Sequence, residues 1–120
     1  MWKTAAALAL LMLSTLLRAE LTVEAYKKNI GSKDPTQVAL TRTYVLGLGE
    51  GIRTANVAVG INAPRLFCPP EKLALGQENF LDILDQAIVD LSAHMNKADL
   101  ASRDISVVLL RGMADTFPCK

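Results

Sequence analysis

From Phe80 to Leu91 apolar residues return every three or four positions, at Phe80, Ile83, Leu84, Ala87, Ile88 and Leu91. This spacing lays one apolar stripe along a helix, with Asp82, Asp85, Gln86 and Asp90 on the other side. A second stripe passes through Val38, Val45, Leu48, Ile52, Ala55 and Val59. It follows Asp34-Pro35, a side-chain acceptor for the N-cap and a residue suited to the first helical position. The predicted helix runs to about residue 58 and ends near Gly60. Leu21 to Ile30, closed by Gly31, predicts a short helix before it. After Asn96-Lys97, a last helix from about Leu100 carries Ile105, Val108, Leu109, Gly112 and Met113 inward until Pro118 stops it. Strand-like alternation is absent, so the expected fold is all-α, a small bundle of about four helices.

Between the second and third of these helices lies Ile61 to Leu75, which no regular helix can occupy. Pro64, Pro69 and Pro70 each remove a backbone donor and lock a backbone angle. Gly47-Leu48-Gly49-Glu50-Gly51 superficially resembles a phosphate loop, but no strand precedes it and the glycine spacing is wrong for a dinucleotide fingerprint. Gly47 and Gly51, one helical turn apart, are expected to let a neighbouring helix approach closely, with a local kink as the alternative.

The first 19 residues read as an export leader. Met1-Trp2-Lys3 is a short positive start, and Thr4 to Leu17 is apolar apart from Thr4, Ser14 and Thr15. A core of roughly 14 residues is short of the about 20 needed to cross a hydrocarbon layer. Ala19 suits the position before a cut, whereas Leu17 is large for such a site, so an uncleaved signal anchor is the alternative. Residues 20–120 then form one domain with one modest core, expected in the periplasm and off the membrane once the leader is cut. Losing Lys3 and Arg18 takes Lys+Arg from 13 to 11 against 12 Asp+Glu, a net charge of −1. Near neutrality without a clustered basic face argues against a nucleic-acid partner.

Charge and compartment change how the two cysteines, Cys68 and Cys119, are read. A lone pair in an exported chain is expected to form one structural disulfide that staples the irregular segment to the end of the last helix. The bond removes both candidate thiol nucleophiles. His94 is the single histidine and stands one helical turn from Asp90, too few ligands for a metal site and without a motif-marked serine partner. No catalytic residue, metal or cofactor is therefore assigned, and the chain is expected not to be an enzyme. A small peptidoglycan-acting enzyme would require turnover that disappears with His94.

Four segments in order carry a resemblance: Tyr44-Val45-x-Gly47, Phe67-Cys68-Pro69-Pro70-Glu71, Leu75-Gly76-Gln77 and Phe117-Pro118-Cys119. Together they span about Ala39 to Cys119 and are similar to the Rap/Tai family, the immunity proteins of type VI secretion peptidoglycan amidases. The resemblance implies a small exported all-α protein, often a homodimer, that binds a cognate amidase effector and blocks its active-site cleft. It also implies that Cys68 and Cys119 form the family's disulfide. Many members carry a further cysteine pair around the first two helices, which this chain lacks, and many relatives are exported proteins without an evident toxin.

Two sets of residues are candidates for contacting such a partner. One is the proline-braced segment from Ile61 to Lys72, with Asn62, Arg65, Glu71 and Lys72 as its polar probes. Alternatively, that segment only delivers Cys68 and packs Leu66 and Phe67 into the core. The other set is the acidic face of Asp82, Asp85 and Asp90, which suits a basic partner or is simply solvated. A rival class is a periplasmic acid-stress holdase of the HdeA type, also small, helical and stapled by one disulfide. Protonation of 12 carboxylates would drive it open, and suppression of client aggregation near pH 2–3 separates it from an inhibitor.

Overall fold

The computed structural model describes residues 20–120; the expected leader, residues 1–19, lies outside the described residues. Five helices follow in order: α1 (Val23–Ile30), α2 (Pro35–Val59), α3 (Gln77–Ser92), α4 (Lys97–Ala101) and α5 (Ile105–Thr116). Among the described residues there are no named strands, and the fold is all-α.

Local chemistry sets most helix starts. Thr22 accepts from the backbone of Ala25, and Asp34 accepts from Thr36 with Pro35 at the first position of α2. Gly76 has no side chain with which to cap α3. Asn79 instead reaches back to accept from its N–H at 2.9 Å, half of a capping box. At α4 and α5 the N-cap side chains themselves serve: Asn96 accepts from the N–H of Asp99 and Asp104 from that of Ser106.

The expected last helix is two helices, because Asp104 adopts an extended backbone (φ −69°, ψ 130°) and restarts the ladder. The break has a packing cause. Leu21 and Val23 pair with the opened backbone, through Ile105 N–H to Leu21 C=O (2.9 Å) and Val23 N–H to Arg103 C=O (2.8 Å). A continuous helix would have kept those groups for itself and left the first residues of the domain without partners.

Helix α3 is the centre of the bundle and packs against α2, α4 and α5, while α1 lies on α2 and α4. Its Phe80, Leu84 and Ile88 meet Val45 of α2, Tyr26 of α1, and Val108, Leu109 and Met113 of α5 in one core. Two glycines permit the close crossings. A methyl group at Gly49 would overlap the ring of Phe80, and one at Gly112 would stand 2.9 Å from Ile83 Cγ2 and 3.0 Å from Ala87 Cβ. The expectation for Gly47 and Gly51 is corrected, since both open to free space and the approach occurs between them at Gly49.

The α2 stripe is also re-registered at its end. Ala55 and Val59 are exposed, and Asn56 is buried in their place. The core face of α2 therefore continues Val45, Gly49, Ile52, Asn56. Backbone rather than side chains covers its last turn, and backbone calls for a polar neighbour.

Candidate functional site

Residues 61–75 contain no helix or strand and fold back along the C-terminal half of α2. Two devices hold them. Asn56 donates from its side-chain amide to the Phe67 carbonyl (2.8 Å), and its Oδ1 accepts from the N–H groups of Leu66 (2.8 Å) and Phe67 (3.2 Å). One position further on, Cys68 is bonded to Cys119 with their Cα atoms 4.9 Å apart, and Cys68 N–H donates to the Phe117 carbonyl at 2.7 Å. Phe67 is fully buried between the two anchors. The alternative in which Leu66 and Phe67 both enter the core is half right: Phe67 does, and Leu66 is 55% exposed.

Between this segment and α2 is an open groove of about 550 Å³. Val57, Ala58, Ile61 and Leu73 supply its apolar lining, with Pro69 and Pro70 along the rim. Val57, Ile61 and Leu73 are large apolar residues well exposed to solvent, Ile61 at 77%. Exposed apolar residues gathered in one concavity, unlike scattered ones, mark a contact surface. Of the four polar residues expected on this segment, Arg65 and Glu71 line the groove. Asn62 and Lys72 are exposed outside its lining. Arg65 lies across Gly60, where a methyl would come 2.7 Å from its Cγ and Nε, so it stacks over the C-terminal end of α2. That is a favourable place for a cation. Arg53, also in the lining, is paired with Glu50 one turn earlier at 3.1 Å.

Of the acidic set, Asp82 and Asp85 both act on Tyr26 of α1, whereas Asp90 lies on the α5 side. Asp85 accepts from the Tyr26 hydroxyl at 2.8 Å and faces α1. Asp90 accepts from Gln86 at 2.9 Å and borders α5 beside His94, Arg111 and Asp115. Arg42 ion-pairs with Glu78 and reaches the neighbourhood of Tyr26. Burial, then the bond to Asp85, raise the Tyr26 phenol well above its ordinary range; Asp82 adds to the effect and Arg42 opposes it. Among the described residues no three His, Cys, Asp or Glu side chains are grouped to hold a metal ion. None of their helices is long and apolar enough to cross a membrane.

Sequence reasoning missed Asn56, whose signal was a lone amide on the core stripe of α2. It also missed Val57 and Leu73, which periodicity cannot assign because their exposure depends on where the irregular segment lies. No family model, curated protein or solved structure matches this chain.

Proposed function

We propose that this is an exported immunity-type protein that binds a peptidoglycan amidase toxin of a type VI secretion system and blocks its cleft. The supporting observation is the doubly anchored segment at residues 61–75, held by Asn56 and the disulfide while Ile61, Leu66 and Leu73 stay exposed. A segment ordered before binding has little freedom left to lose, which favours tight association with a cleft. The four-part resemblance to the Rap/Tai family supplies the identity of the target, and the lone cysteine pair, bonded here, fits an oxidising compartment. A periplasmic location with the leader removed belongs to the same reading.

The test is a pull-down with the oxidised protein and the product of the neighbouring reading frame, expected to be a small secreted amidase, followed by peptidoglycan hydrolysis with and without the protein. Binding with loss of hydrolysis is expected. Hydrolysis at an undiminished rate with saturating protein would sink the reading.

A further inference from the structure

We infer that the groove between α2 and residues 61–75 takes an extended peptide segment that combines apolar side chains with an acidic and a basic one. The partner's identity as an amidase rests on the proposed function above, whereas the chemistry of the groove does not.

The charges in the groove carry this inference. Arg53 is already satisfied by Glu50. Arg65 and Glu71 both line the groove, and among the described residues neither forms an ion pair with the other or with a third group. Arg65 is held over Gly60 by packing, so its guanidinium is positioned without a counter-ion. The groove thus combines an apolar lining with an uncommitted cation and an uncommitted anion. A ligand matching all three carries a carboxylate, apolar groups and a cation.

Length narrows the ligand further. From Arg53 to Ile61 the helical path rises about 12 Å, which three or four residues of extended chain span. The volume lies within the range of ordinary ligand pockets of about 300–1,000 Å³. A partner loop laid along α2 fits.

The experiment titrates the oxidised protein with two synthetic peptides, acetyl-Asp-Leu-Leu-Lys-amide and acetyl-Lys-Leu-Leu-Lys-amide, following backbone amide shifts by NMR. The mixed-charge peptide is expected to move Thr54, Val57, Ile61 and Leu73. Arg65→Glu should weaken it about tenfold and shift preference to the di-lysine peptide. Val57→Asp, at a half-exposed site, should keep the helical spectrum and denaturation midpoint while abolishing the shifts. Shifts elsewhere, none at all, or an unchanged preference in Arg65→Glu overturn the inference. A dimer that Val57→Asp breaks and that the peptide leaves intact overturns it too, because a second copy then covers the groove. The amidase pull-down with the same variants separates the two claims. Amidase capture by wild type together with no peptide shifts leaves the immunity reading standing and removes this one. Peptide binding without amidase capture does the reverse.

Discussion

Asn56 engages Phe67 from both directions, giving a proton to its carbonyl and, through Oδ1, accepting one from its N–H. An amide side chain here performs the pairing that a neighbouring strand would supply. It lets an irregular segment be buried against a helix without orphaned backbone groups.

Replacing Asn56 with alanine should therefore cost about 2–4 kcal/mol, since it strands buried backbone donors and an acceptor as well as removing bonds. Denaturant unfolding reads the loss, and hydrogen exchange at Leu66 and Phe67 should accelerate beyond the global change. Asn56→Asp should do as badly, because a carboxylate facing the Phe67 carbonyl has no proton to give. Unchanged midpoints in both variants would remove Asn56 as an anchor.

For the disulfide, the paired substitution Cys68→Ser and Cys119→Ser should destabilise the domain by up to about 4 kcal/mol, the chain-entropy value for a closed loop of this size. The helical circular dichroism signal should persist, because Phe67 and Asn56 hold the segment independently. Wild type unfolded in reductant should match the double variant. A midpoint indifferent to reductant would contradict the bond's contribution.

Tyr26 gives a pH dependence of definite sign. Its phenol is held above its ordinary value of 10.0, so the contribution is intact below that pH and is lost as pH rises beyond it. Each unit above 10 and below the folded-state value removes about 1.4 kcal/mol, because the unfolded tyrosine ionises first. Between about pH 9 and about pH 11 the wild-type midpoint should fall more steeply than that of Tyr26→Phe. Tyr44 remains in both proteins, so parallel curves would exclude Tyr26 as the source.

The glycines of α2 should divide by position. Gly49→Ala drives a methyl into the Phe80 ring and should cost roughly 2–3 kcal/mol. Gly47→Ala and Gly51→Ala meet open space and should each stabilise by about 0.5–1 kcal/mol through helix propensity. Thermal denaturation of the three single variants is sufficient, and a common sign among them would contradict the crossing at Gly49.

The elements legible in the sequence were those whose evidence is local. Asp34-Pro35, Gly60 and the stripe of α3 depend on neighbours within one or two turns, and the observed helices begin or end there. The break before α5 was not legible, because it depends on Leu21 and Val23 arriving from the far end of the domain. The same is true of the burial of Asn56, which is a response to backbone 10 or 11 positions later. The candidate site was half legible: charge and proline content located the segment, but only its path showed that Arg65 and Glu71 face the groove while Asn62 and Lys72 do not. The acidic residues of α3 appear as one face in a linear pattern. Asp90 parts from Asp82 and Asp85 because it borders α5 while they act on Tyr26.

The bond between Cys68 and Cys119 also makes a covalent ring of α3, α4 and α5, with α1 and α2 outside it. A protease that cuts once inside this ring leaves two fragments that still travel as a single molecule and stay packed on one core. One cut at Gly31-Ser32-Lys33 severs α1 outright, leaving only non-covalent contacts to retain it. Resistance to proteolysis is therefore decided outside the ring, at the short link between the first two helices and at residues 61–67, whereas residues 68–75 of the same irregular segment are covered by the bond.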